Sequence, residues 1–223
     1  MVDYKIIDVA LFDKDTVDKI YGELLQNKWQ FVVLAIDGKL FVLTKEKSLF
    51  EINNIEDFVG TADKDLYYKT VVTGDTVVDE DDLKLYREYI DKYRQKLIKT
   101  VYGGKYLFGS IAVRSDNGFI TTIRGKENLS DYTIVKNVDH DNRMVTVAGK
   151  KATLNAALLD WLFKRNKLVK VIVHLNAVFD DGLPTEEYAF PGTVRDSQRD
   201  MTTSFNIRHH GLFYLINNNG EKI

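Results

Sequence analysis

"VIVHLNAVF", Val171 to Phe179, has the composition of a buried strand, yet it carries His174, one of four histidines in the chain, with Asn176 two residues on. A strand repeats every two residues, so His174 and Asn176 project from one face, and Val171, Val173 and Leu175 from the other. Three readings are open here: half of a metal site, the remains of one, or a core strand that contains a polar residue.

The surroundings of this strand decide the fold class. "LKLYREYIDKYRQKLIKT", from Leu83, places Tyr86, Tyr89, Ile90, Tyr93 and Leu97 at helical spacing, which predicts an amphipathic helix of about 17 residues. "YGGKYLFGS" reads as a glycine-bearing loop. "IAVRSDNGFITTI" is a hairpin turning at Asn117-Gly118, and "TIVKNVDHDNRMVTVAG" is a second one. "TLNAALLDWLFKRN" carries Leu154, Ala157, Leu158, Trp161 and Leu162 on one helical stripe, and "NIRHHGLFYLI" reads as a strand. Hairpins interrupted by helices predict an α/β (α+β) domain, with a mostly antiparallel sheet covered by helices.

The chain before Leu83 has a different character. Residues 1–82 hold 9 Lys+Arg against 18 Asp+Glu, whereas residues 83–223 hold 22 against 15. This sign change, with the change of pattern, predicts a small α+β unit over 1–82 and a larger domain over 83–223. The charge difference fits two halves that attract each other, or a second half that handles an anion. In the first unit "YKIIDVALF" reads as a strand and "DKDTVDKIYGELLQ" as a helix capped near Asp13. Asp37-Gly38 marks a hairpin between two apolar runs. The acids Asp79 to Asp82 read as a solvated linker and helix N-terminus, where the helix dipole favours negative charge.

Several function classes find no support. Cysteine is absent, so thiolate metal sites and a cysteine nucleophile are excluded. No run of about 18 apolar residues spans a membrane, and the acid-broken start of the sequence has no signal-peptide pattern, so a cytoplasmic home is expected. No Lys/Arg run or basic helix points to nucleic acid. There is no phosphate-binding P-loop, no dinucleotide fingerprint and no G-x-S-x-G elbow.

The order of small motifs after Leu83 is specific. "GSIAVR" (Gly109–Arg114) precedes "GFITTIRG" (Gly118–Gly125), followed by "GKKATLNAALLDWLF", "VIVHLNA", "YAFPGT" (Tyr188–Thr193) and "RHHGL" (Arg208–Leu212). Over about residues 83–216 this series resembles the class II aldolase/adducin family. That family shows a G-N-[IL]-S loop, a T-x-S-G turn, an S-S-E helix start, an H-x-H strand, a Y-A-x-x-G-T segment and an N-H-G-L strand. The resemblance implies a zinc ion held by three histidines and a glutamate, a phosphosugar bound through its phosphate, and carbon–carbon lyase or epimerase chemistry. It also implies a homo-oligomer, in which a neighbouring subunit donates a tyrosine as proton donor. Carried over, His174 and His210 stand at metal positions, Asn176 replaces the second histidine of H-x-H, and Asn155 replaces the glutamate. Tyr188 keeps the tyrosine position. Ser110 replaces the loop asparagine, Thr122 and Gly125 match the turn, and Arg124 takes its serine; Thr153 and Leu154 replace the two serines. The family's C-terminal helix has no counterpart after "INNNGEKI".

Two expectations follow from this resemblance. One is an altered aldolase-type enzyme that binds a small anionic ligand, with Tyr188 and Asn155 in the catalytic set, Ser110, Thr122, Arg124, Gly125 and Thr153 on the phosphate, and a zinc or other divalent metal held weakly by His174, His210 and Asn176. The other is a non-catalytic oligomerisation or protein-interaction module of the adducin type. Three further readings concern single residues. His140 is expected in an exposed turn, His209 on the opposite strand face from His210, and "DSQRD" (Asp196–Asp200) on a solvated helix face.

Overall fold

The computed structural model describes residues 3–10, 12–45, 47, 49–64, 67–74, 77–101, 104–126, 128–176 and 182–223. The end of the opening strand, residues 177–179, lies outside them. The chain divides into two compact units, one of residues 1–65 with 99–106, the other of residues 66–98 with 107–223.

The first unit contains β1 (Tyr4–Asp8), α1 (Lys14–Gln26), β2 (Phe31–Ile36), β3 (Lys39–Thr44), β4 (Leu49–Ile52) and α2 (Ile55–Lys64). The strands form a sheet in that order. β1 and β2 are parallel across α1, whose first turn is capped by Asp13 accepting from the Thr16 amide at 2.8 Å. β2 and β3 form the expected hairpin, because Asp37 and Gly38 both take the left-handed conformation, φ 48° and 75°, that its turn needs.

The second unit begins earlier than the expected boundary between 82 and 83. β5 (Lys69–Thr73) runs parallel to a strand of the large sheet and extends its edge. α3 (Glu80–Leu97) starts behind Asp79, whose carboxylate accepts from the amides of Asp81 and Asp82. Asp82 is a correction to the solvated reading of this cluster: it is 9% exposed and pairs with Lys170 at 2.6 Å. β6 (Ile98–Val101) and β7 (Gly104–Leu107), whose residues 99–106 belong to the first unit, pair with each other where the glycines suggest a loop. β8 (Ser110–Ser115), β9 (Gly118–Thr122), β10 (Tyr132–Asp139) and β11 (Met144–Ala148) form a meander. α4 (Ala156–Arg165), β12 (Val169–Leu175), β13 (Thr185–Glu186), the single turn α5 (Val194–Ser197), β14 (Phe205–Ile207) and β15 (Gly211–Asn217) complete the unit.

Nine strands form its sheet, in the order β13-β14-β15-β12-β8-β9-β10-β11-β5. Only the outermost pairs, β13 with β14 and β11 with β5, are parallel. The sheet is therefore mostly antiparallel, as the hairpin pattern predicts, and alternation sorts its side chains between two cores. Ala112, Ile172, Phe213 and Leu215 pack with Leu158, Leu159, Leu162 and Phe163 of α4. Their chain neighbours Ile111, Val113, Val171, Val173 and Tyr214 pack with Leu83, Tyr86, Ile90 and Leu97 of α3. One helix covers each face. Among the described residues no helix is long and apolar enough to cross a membrane.

Two sequence expectations shift at element ends. α4 starts after Leu154, which is 40% exposed and outside the buried stripe. "NIRHHGLFYLI" is not one strand but a hairpin, β14 and β15 joined by Arg208–His210, with His209 at φ 58°.

Arg114 ties the α4 face together. Its Nε donates to the Val169 carbonyl at 2.7 Å, and one terminal nitrogen donates to the Phe163 and Asn166 carbonyls at 2.7 and 2.9 Å. The latter two lie at the end of α4, whose last carbonyls lack helical partners and favour a cation. Arg114→Ala is expected to lower stability by about 2–4 kcal/mol, since it strands buried carbonyls. Lys, without the planar fork, should recover less than half of that loss in chemical denaturation.

Candidate functional site

The candidate site is built at the end of β12, where both neighbouring strands close on it. His174 sits opposite Ser110 of β8 on one side and Phe213 of β15 on the other. By alternation His174 and Ser110 belong to the α4 face, two residues along from Ile172 and Ala112. Both approaches require glycine. A Cβ on Gly109 (φ 71°) would lie 2.2 Å from the His174 carbonyl oxygen, and one on Gly211 (φ 142°) 2.1 Å from the Leu175 carbonyl oxygen. Neither distance is compatible with a side chain.

His174 is buried in an aromatic column. Its ring stacks on Phe213 at 4.1 Å, Phe213 stacks on Phe205 at 5.1 Å, and His210 meets His174 edge-on at 4.7 Å between centroids. The structure thus brings together the two histidines that the motif order singles out, and Asn176 follows on the same strand course. His174 Nδ1 donates to the Leu212 carbonyl at 3.3 Å, because a carbonyl can only accept. His210 is 2% exposed, and burial first, then the neighbouring His174 and Arg199, hold its pKa well below the usual histidine value. His210 is therefore a neutral imidazole. His209 is half-buried in the turn, so the opposite-face relation drawn from a continuous strand does not hold.

"DSQRD" is the largest correction. Asp196 and Ser197 end α5 in the interior, and Arg199 is 6% exposed. Arg199 donates to Asp196 at 3.0 Å and to the Glu187 carbonyl at 2.9 Å, and Asp196 lies 4.0 Å from His210 Nδ1. Polarity alone points this run to solvent. The signal it does contain is an acid and an arginine three apart, a pair that can enter a core together. His140 is also not exposed. Its ring nitrogens bridge the Tyr68 hydroxyl at 2.7 Å and Asp160 at 2.8 Å, and Tyr68 in turn accepts from Ser197 Oγ at 3.1 Å.

The remaining predicted residues divide. Asn155 begins α4, 5% exposed and without a side-chain cap hydrogen bond. Thr153 donates its amide to the Thr122 carbonyl at 3.0 Å, and Arg124 donates its amide to the Lys151 carbonyl, so the phosphate-loop set is joined through backbone. Thr122 itself follows Ile120 by two residues, which puts it on the α3 face, opposite to Ser110. Gly125 (φ 61°) leaves open space around itself. Arg124 reaches solvent. Tyr188 is half-buried, packed edge-on against Phe190 at 5.3 Å. A Cβ on Gly192 would lie 3.2 Å from the Leu154 carbonyl oxygen, and Thr193 closes the "PGT" turn as the cap of α5.

Lys126 is a residue that the motif reading passes over. Its Nζ donates to the Gly109 carbonyl at 2.8 Å, at the head of β8, and burial pushes its pKa down to about 8.

One property unites much of this set. Among the described residues Ser110 Oγ, Thr122 Oγ1, Asn155 Oδ1, His210 Nδ1 and Arg199 Nε are buried without a hydrogen-bond partner. Each such group costs on the order of 1–3 kcal/mol unless a ligand or water meets it. The same donors do not suit zinc. Catalytic zinc takes three protein ligands from imidazole, thiolate and carboxylate. No group of three His, Asp or Glu side chains that could hold an ion occurs among the described residues, and Asp196 is engaged by Arg199.

No protein-family model matches the sequence, and no curated protein does either. Among solved structures the fold is similar to that of an L-fuculose 1-phosphate aldolase, at 15% identity and a TM-score of 0.46, over 63% of this chain and 77% of that one. It is similar also to YgbL of Escherichia coli, at 18% identity and 0.44, over 60% and 79%. A third likeness is to the L-fuculose-1-phosphate aldolase of Thermus thermophilus, at 15% identity and 0.43, over 63% and 82%.

The two glycine positions give a graded test. Gly109→Ala sets a methyl against the His174 carbonyl and is expected to cost more than about 3 kcal/mol. Gly125→Ala has the same backbone strain but free space, and should cost only about 1–2 kcal/mol by denaturant titration.

Proposed function

We propose that this chain is a divergent class II aldolase-like protein whose larger unit binds a small anionic, phosphosugar-like ligand, with altered lyase or epimerase chemistry. The observation that carries this reading is that buried polar atoms without a hydrogen-bond partner stand at positions selected by the motif order, above all Ser110 and His210, which both adjoin His174, and Asn155 at the start of α4. A core that only needed packing would fill those positions with apolar side chains of similar size.

In this reading Arg124 supplies the fixed charge for the anion, as a guanidinium can clamp two oxygens at once. Ser110, Thr153 and the backbone at Gly125 complete its surroundings, and Thr122 supports them through its carbonyl rather than its hydroxyl. His210, neutral, accepts a hydrogen bond from a ligand hydroxyl or donates to a carbonyl, and Asn155 offers a further amide. Tyr188 serves as the acid or base, and a homo-oligomer would bring a second copy of it to the site. The zinc-poor donor set also favours a second reading, a non-catalytic module of the adducin type that has kept the fold and lost the reaction.

Inorganic phosphate and dihydroxyacetone phosphate are expected to raise the melting temperature in a saturable way. Ser110→Ala and Arg124→Met should each weaken the apparent affinity at least about 10-fold, the loss of one charge-assisted contact. Failure of every phosphosugar to shift the wild-type protein, with and without divalent metal, would sink the anion-binding reading.

A further inference from the structure

Lys126 lies two residues beyond Arg124, and its Nζ reaches back to the Gly109 carbonyl at 2.8 Å. Gly109 is the residue whose missing side chain lets the head of β8 close on His174, so the amine is anchored beside Ser110. An ammonium has three hydrogens to donate. Among the described residues Lys126 has one hydrogen bond, to a backbone carbonyl, and no ion pair with a carboxylate. These conditions raise the share of uncharged amine above that of an exposed lysine, in keeping with its lowered pKa of about 8. Lys126 is half-buried, and partial desolvation of a lysine is a recognised route to a nucleophile for carbonyl compounds.

We propose that Lys126 is a carbonyl-reactive amine of this site, which forms a Schiff base with the ketone or aldehyde of the anionic ligand; the inference rests on the anion-binding reading above. In the step the lysine nitrogen bonds to the carbonyl carbon while the C=O π pair moves to oxygen. The C–O bond then breaks, and the oxygen leaves as water with two of the three ammonium protons. Ammonium plus carbonyl becomes iminium plus water, with charge and atoms conserved and no redox partner. The iminium draws electrons from an adjacent C–C or C–H bond, which is the electron demand of a lyase or epimerase.

The test is reductive trapping on the full chain. Wild-type protein is incubated with dihydroxyacetone phosphate and sodium borohydride, then read by intact mass and peptide mapping. One reduced adduct per chain, on Lys126, is expected. It should be suppressed by excess inorganic phosphate and absent in both Lys126→Arg and Lys126→Met, at least one of which must melt close to the wild type. The trapping rate should rise about 10-fold from pH 7 to pH 9 and level off, whereas an ordinary lysine would rise about 100-fold without levelling. An adduct that is absent, spread over several lysines, or insensitive to phosphate overturns the proposal. If phosphate still raises the melting temperature in that case, the anion site stands and the Schiff base alone falls. If phosphate has no effect, both fall together.

Discussion

The candidate site depends on the double pairing of β12. Hydrogen-bonded on one edge to β8 and on the other to β15, this strand cannot rotate, and its alternation sends Val171 and Val173 to α3 and Ile172 and His174 to α4. A register slip of one residue would put an imidazole into the α3 core and a valine beside His210. Gly109 and Gly211 protect the register from both sides, since each brings backbone to within a Cβ radius of the carbonyls of β12. The polar end of the strand is thus held in place by its apolar middle.

Around this fixed point the protein buries charge. The Asp196–Arg199 couple stands in the interior beside the imidazole of His210, and it holds no carboxylate in reserve for a metal. A buried ion pair of this kind is roughly neutral for stability when whole and costly when halved. Its effect on the site is electrostatic: a guanidinium near His210 helps to keep that ring uncharged. A neutral imidazole can both donate and accept, which suits hydroxyl and carbonyl groups better than a cation would.

What can be read in the sequence follows from how local each signal is. The hairpins marked by Asp37-Gly38 and Asn117-Gly118 and the helices led by Asp13 and Asp79 are written in a few adjacent residues, and all appear, although the second hairpin turns one residue earlier than expected, at Asp116-Asn117, with Ser115 opposite Gly118. His174 and His210, far apart in the chain, are brought together by motif order rather than by any local signal, and strand pairing explains the meeting. The signals that fail are polar residues whose character points to solvent. Asp82, His140, Asp196 and Arg199 are each made tolerable in the interior by a partner distant in sequence or one helical turn away, and no single-residue property announces that partner. Lys126 escapes notice for the opposite reason: its partner is a backbone carbonyl, which leaves no trace in side-chain patterns.

The parallel seam between β11 and β5 has a bearing on how the unit assembles. Residues 69–73 join residues 144–148, and the chain between them includes α3 and the meander strands β8, β9 and β10. Closing so long a loop is entropically costly, so the meander, with its short turns, can form first, whereas β5 has no template until β11 is in place. During synthesis β5 leaves the ribosome roughly 70 residues before its partner. For that interval Val71 and Val72, still about half exposed in the finished fold, belong to an unpaired strand, and early folding is a race between pairing with β11 and pairing with another chain.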